Sequence, residues 1–374
     1  MVLLQTERDA LLKPLQTVTG IVERRHTLPI LSNVLIEGGE GVRLTATDLE
    51  IQVRTNSDTL KVQQPFAVTV SARKLQEILR ALPDTAQIVI EEETGKLVLR
   101  AGTSRFTLQT LGAEDFPVLT LSDDVLTTLR LPQTQLGRLI SQVSYAMAQQ
   151  DMRYYLNGLL MVVDEAAIKL IATDGHRLSY ASYPLAVGAA ILPSGSSVQE
   201  AILPRKTVLE LARLMVDTDQ DAVIQLSKNQ VMTSFGNTSI VSKVIDGKFP
   251  DYTRVIPINH PKNVCIDRLT LLSAMQRVAI LSNEKFRGVR LLLSEMSLKV
   301  ISNNMEQEEA EESIDVQYHG EPLDIGFNIT YLLDVLNNLH TTEVNLSFGD
   351  ANSSCLVTMP GDEQFKYVVM PMRI

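Results

Sequence analysis

The sequence predicts an α+β fold made of three copies of one domain, each with two helices packed on mostly antiparallel sheet. Three observations carry this. A helix-then-strand pattern recurs at a spacing of roughly 120 to 130 residues, far longer than solenoid repeats. A second amphipathic helix follows in each copy. The strands after that helix alternate apolar and polar residues, as half-buried antiparallel strands do.

In the first copy the helical pattern "LLKPLQTVTGIV" leads into the strand "PILSNVLIEG" and then "RLTATDLEIQVR" at 43–54. The second copy runs "LGRLISQVSYAM", "YYLNGLLMVV" and "KLIATDGHRLSY" at 169–180. The third runs "LLSAMQRVAILS", "FRGVRLLLSE" and "LKVISNNMEQEE" at 298–309. The second helices are "VSARKLQEILRAL", "LPRKTVLELARLM" and "FNITYLLDVLNNL". In the first of these, Leu75, Ile78, Leu79 and Leu82 share one face. Ser71 and Asn328 are the candidate N-caps. The first two copies end alike, in "EDFPVL" and "GKFPDY". The expected boundaries are 1–127, 128–253 and 254–374.

A chain of 374 residues exceeds one ordinary core. With 45% hydrophobic and 21% charged residues it has the composition of a soluble globular protein. No apolar run is long enough for a membrane span, and the N-terminus carries charges where a signal peptide needs its apolar core. Cys265 and Cys355 are the only cysteines; they could pair, but one isolated pair argues for a reducing compartment, so the cytoplasm is expected. A net charge of −10 argues against a general nucleic-acid binder, though not against one whose positive charge gathers on one surface.

The stretch "IATDGHRLSY" invites a catalytic reading. Asp174 and His176, two apart on a strand, would share a face. No nucleophile motif accompanies them, and the five histidines show no metal-ligand spacing. The first copy keeps the aspartate as Asp48 but has Leu49 and Glu50 where the second has Gly175 and His176. Ala-Thr-Asp therefore belongs to the repeated scaffold, as a strand end. Gly175, His176 and Arg177 are what the second copy adds.

The stretches "HTLPILSNVLIE", "TATDLEI", "DMRYYLNG", "ATDGHRL", "GKFPDYTRVIP", "LSNEKFRGVRL", "NNMEQEEAEE" and "YVVMPMR" resemble the β subunit of bacterial DNA polymerase III, the sliding-clamp family, in order and over essentially the whole chain. The resemblance implies three clamp domains per chain and a head-to-tail homodimer. It also implies a ring of pseudo-six-fold symmetry around duplex DNA, with no catalysis, metal or cofactor. The implied partners are duplex DNA without sequence preference, the replicative polymerase α subunit, the clamp loader, and translesion and repair polymerases or other proteins with clamp-binding peptides. No membrane partner is implied.

The same resemblance implies site residues. A peptide pocket would have a deep apolar subsite of Leu156, Thr173, Gly175, His176, Arg177, Leu178, Pro250 and Val255. Its second subsite would hold Arg153, Tyr155, Asn328, Tyr331 and Ser354, then Val368, Met370, Pro371, Met372 and Arg373 from the C-terminal tail. Methionine adapts to varied apolar side chains, and glycine leaves room for a close backbone approach. DNA contacts would come from Arg25, Gln150, Tyr154, Lys206 and Phe286. The dimer interface would set Lys74 and Phe106 against Ile280, Leu281 and the acidic run carrying Glu306, Glu308, Glu309 and Glu311. Basic residues such as Lys13, Arg73, Arg138, Arg213 and Arg277 lie on the predicted helices, which line the hole in this family. Three features depart from the family: Asn352 in place of a small apolar residue, a long Gly/Ser-centred stretch at 186–201 that predicts a mobile loop, and an extra arginine and histidine in "ERRHT".

Overall fold

The computed structural model describes residues 1–23, 27–60, 62, 64–122 and 124–373. The first copy runs β1 (Val2–Glu7), α1 (Arg8–Thr19), β2 (Asn33–Gly38), β3 (Val42–Thr47), β4 (Ile51–Ser57), β5 (Phe66–Ser71), α2 (Ala72–Ala81), β6 (Gln87–Glu93), β7 (Lys96–Ala101) and β8 (Ser104–Leu111). The second runs β9 (Thr127–Pro132), α3 (Gln133–Val143), β10 (Gly158–Asp164), β11 (Ala167–Thr173), β12 (Arg177–Pro184), β13 (Ala190–Ile191), β14 (Val198–Pro204), α4 (Arg205–Leu214), β15 (Asp221–Leu226), β16 (Gln230–Phe235) and β17 (Thr238–Lys243). The third runs β18 (Lys262–Asp267), α5 (Arg268–Val278), β19 (Gly288–Ser294), β20 (Ser297–Asn303), β21 (Glu309–Asp315), β22 (Leu323–Asn328), α6 (Ile329–Asn338), β23 (Glu343–Phe348), β24 (Cys355–Met359) and β25 (Asp362–Val369).

Each copy thus holds two helices, where the 3.6-residue periodicity puts them. On α2, Leu75 and Leu79 are fully buried and Leu82 nearly so. Asn328 caps α6 by accepting the Thr330 amide at 2.9 Å. Ser71 makes no such bond at α2, so that expected cap fails; the chain enters the helix straight from β5, and the serine hydroxyl takes no part.

All pairing is antiparallel, and the strands fall into two compact units. Unit 1 comprises 1–137, 188–197 and 206–244; its strands form one sheet in the order β1-β6-β7-β8-β5-β2-β3-β4-β17-β16-β15-β9-β13. Unit 2 comprises 138–187, 198–205 and 245–374, with sheets β14-β10-β11-β12-β25-β24-β23-β18 and β21-β20-β19-β22. The units cut through the middle copy because hydrogen bonding does not stop at the repeat boundaries. In unit 1, β4 of the first copy pairs with β17 of the second, Ile51 opposite Ser242 through Thr55 opposite Thr238. In unit 2, β12 of the second copy pairs with β25 of the third, Arg177 opposite Val369 through Ala181 opposite Phe365.

The stretch at 186–201 is not wholly a loop. Ala190 and Ile191 form β13, which adds to β9 with Ala190 opposite Leu129 and Ile191 opposite Thr128. The backbone ladder it completes outweighs the Gly/Ser composition, most of which lies at 194–197 before β14 begins at Val198. Cys265 is exposed and Cys355 buried, and neither is in a disulfide. No described helix is long and apolar enough to cross a membrane.

Candidate functional site

The site is built on a hairpin that occurs three times. Between β11 and β12, Asp174 Oδ1 accepts the backbone amides of His176 at 2.9 Å and Arg177 at 3.0 Å. Thr173 Oγ1 donates to the Arg177 carbonyl at 2.6 Å and accepts the Gly175 amide at 3.1 Å. Between β3 and β4 the same bonds recur: Asp48 Oδ1 takes the amides of Glu50 and Ile51, and Thr47 Oγ1 bonds Ile51 and Leu49. Between β20 and β21, Asn304 Oδ1 takes the amides of Glu306 and Glu308. Short polar side chains that bond the backbone two residues on close such turns.

This decides the catalytic reading. Asp174 to His176 form the turn rather than a strand, so the expected shared face does not exist. The aspartate is engaged with backbone amides and with Arg177, and the exposed His176 ring is not its partner. Gly175 is at φ 89°, but Leu49 holds the equivalent place at φ 78°, so the turn alone does not demand glycine. A Cβ at Gly175 would stand 2.9 Å from Arg153 Nη1, so a larger residue there would displace the end of that arginine side chain. Arg153 is fixed there by Asp151, at 2.8 and 3.1 Å, and by donating to the Asp174 carbonyl. The side-chain and backbone bonds from Arg153 hold the Asp151 carboxyl down at about 2.

Behind the hairpin, Arg177 is nearly buried. It donates to Asp174 Oδ2 at 3.1 Å, to Asp334 Oδ2 at 2.6 Å and to the Tyr145 carbonyl at 2.7 Å. Its guanidinium lies over the Tyr331 ring, 4.4 Å from the centroid. Burial works against its charge, but Tyr367 and Asp334 more than offset this, and its pKa is raised. Burial likewise pushes the Tyr145 and Tyr367 phenols up.

In front of the hairpin is an open cleft with about 200 Å³ of room. Leu156, Leu178, Phe249 and Val368 form its floor and belong to one buried apolar cluster. All eight residues expected in the deep subsite line this cleft. Phe249 and Tyr252 line it too and went unassigned. Their signal was the repeated "EDFP" and "GKFP", whose Phe116 and Phe249 are both buried.

The second subsite is less compact. Arg153, Val368 and Met370 line the same cleft, and Tyr155 packs against its apolar cluster. Met372 and Arg373 line a separate cleft with Phe286. Tyr331 lies under Arg177, Asn328 caps α6, and the Ser354 carbonyl bonds His260 Nε2 at 2.9 Å. Pro371 is half-buried in the C-terminal tail between them. The tail is tied down at both ends, by the Met370 amide to the His176 carbonyl and the Met372 amide to the Gly326 carbonyl, each at 2.9 Å.

The remaining residues are dispersed. Arg25 lies outside the described residues. Gln150, Tyr154 and Phe286 are exposed. Lys206 is engaged by Asp48 and by Glu23, which raise its pKa although burial works against it. Lys74 is exposed on α2 and Phe106 half-buried on β8. Ile280 is 78% exposed and Leu281 half-buried in the short turn after α5. Glu306, Glu308, Glu309 and Glu311 are all exposed, with Glu311 bonded to Lys299 and Glu308 to Asn304.

Three family models match the chain in order: the DNA polymerase III beta subunit N-terminal domain over 2–120, its central domain over 130–251 and its C-terminal domain over 253–373. The chain belongs to the DNA polymerase III beta subunit, or beta sliding clamp, family. The beta sliding clamp of Pseudomonas putida is 47% identical over 369 residues, 98% of this chain and 99% of that one. That of Escherichia coli K12 is 44% identical over 371 residues, with the same coverage. The crystal structure of the DNA polymerase III subunit beta from Pseudomonas aeruginosa superposes with a TM-score of 0.92 at 47% identity, covering 100% of both chains. A sliding clamp from the same organism bound to griselimycin superposes equally well, at 46% identity and 100% coverage of both. This clamp is therefore a three-domain, non-catalytic replication protein.

Proposed function

We propose that two copies of this clamp close head to tail into a ring around duplex DNA and hold a polymerase on it. One observation carries the reading. Within the chain, β4 is taken up by β17 and β12 by β25. Their counterparts in the repeat are β21 and β8. β21 is an edge strand, and β8 pairs with β7 along its length but with β5 only at Thr110 and Leu111. One repeated pairing thus lacks its partner within the chain, and a second copy supplies it at each end. Two such contacts close a ring with two-fold symmetry. Ile280, Leu281 and the acidic run would meet Lys74 and Phe106 of the partner, with rim charges selecting the partner more than strengthening the contact. The domains would divide at 1–127, 128–253 and 254–374.

Arg25, Gln150, Tyr154, Lys206 and Phe286 would face the DNA, where phosphate contacts position without reading sequence. The cleft at the 173–178 hairpin would receive short peptides from the replicative polymerase α subunit, the clamp loader and repair polymerases. The ring would work in the cytoplasm, with no cofactor. The test is native mass combined with retention on DNA. The expected mass is twice that of the chain, and the loaded protein should stay on circular DNA and leave a linearised duplex. A stable monomer at micromolar concentration, or equal loss from both DNAs, overturns the ring.

A further inference from the structure

We propose that Asp334, on α6, is a positioning residue that acts through Arg177 to hold the 174–176 hairpin and Tyr331 in the arrangement that receives a peptide. The inference rests on reading the cleft as the peptide site.

The hairpin does not need Arg177 in order to form. The first copy makes the same turn bonds with Ile51 in that place. Arg177 therefore does something else, and its bonds show what. One guanidinium joins the hairpin through Asp174, the turn after α3 through the Tyr145 carbonyl, and α6 through Asp334. It also covers the Tyr331 ring, one helical turn before Asp334. A planar guanidinium has donors in a fixed fork, so a carboxylate that fixes one edge fixes the plane lying over the tyrosine.

The repeat provides the comparison. Aligned on the second helices, Asp334 corresponds to Glu210 on α4, and Tyr331 to Thr207. Glu210 is buried but turns to Arg213 on its own helix, and Thr207 bonds Ser242. Unit 1 also ties its hairpin to its second helix, by Lys206 on α4 to Asp48, but there the cation is on the helix; what the copy pair with the cleft adds is a hairpin guanidinium held by a helix carboxylate over the ring of Tyr331. Side chains that lock a binding group's rotamer in this way decide how tightly a preformed site binds.

The test uses the full-length dimer and griselimycin as probe. D334A should weaken binding about tenfold, the scale expected for losing a charge-assisted bond. D334E, which keeps the carboxylate, should recover most of it. R177A with D334A together should bind no worse than R177A alone, because Asp334 acts through Arg177. Wild-type binding by D334A, or additive losses in the double variant, overturns the proposal. A V255D variant separates this from the underlying reading. If wild-type chain does not bind the probe, or V255D binds it unchanged, the cleft is not the site. If both behave as expected and D334A still binds normally, only the role of Asp334 falls.

Discussion

His176→Ala removes an exposed ring from the cleft rim and leaves the turn intact, because the turn uses the backbone amide of residue 176. The expected result is roughly three- to tenfold weaker griselimycin binding with unchanged native mass, measured by titration and light scattering. Asp151 gives a prediction in pH. Its carboxyl is depressed from 3.8 to about 2 by Arg153. A depressed carboxylate contributes fully above its unfolded value and loses that contribution as pH falls through the folded one. The pair should therefore hold Arg153 across Gly175 above about pH 4 and release it between there and about pH 2. A carboxyl-carbon NMR titration should place Asp151 near 2, and R153A should return it toward 3.8. At this scale the sequence was legible where the repeat could be compared with itself. Asp48 and Asp174 share a place and a turn, so a scaffold role could be read. The Arg177–Asp334 pair is 157 residues apart in the chain, and neither copy of the helix pattern announces it.

The helices and strands were readable because each buries one face and so keeps a strict period. Leu75 and Leu79 on α2 are an example. Periodicity says nothing about which strands meet across repeat boundaries, so β4 with β17 and β12 with β25 were not foreseen. Composition also misled at 186–201, where Ala190 and Ile191 pair with β9 and Val198 to Ala201 already belong to β14 on β10. The open strands carry the prediction for this scale. Ile280→Asp puts a carboxylate in the apolar part of the expected subunit contact. Burying an unpaired charge there should weaken the dimer at least about 100-fold, seen by sedimentation across dilution. Ile280 does not line the cleft, so peptide binding proposed there should be unchanged.

For the whole molecule, a charge of −10 and a DNA partner are compatible if retention is a matter of enclosure. Several cations on the helices are already occupied by the protein's own groups: Arg138 by Asp362, Arg213 by Glu210, Arg277 by Glu312 and Lys206 by Asp48. Few phosphates would then be neutralised, and retention on circular DNA should change little between about 50 and 200 mM salt, where a phosphate-dependent binder loses orders of magnitude.

The open edges of β8 and β21 also bear on how the protein is kept. A lone chain leaves these two backbone edges bare, and such edges recruit extended segments. Dilution below the dimerisation constant would therefore produce a sticky species rather than an inert half. Handling the protein above its dimerisation constant should keep the two halves joined.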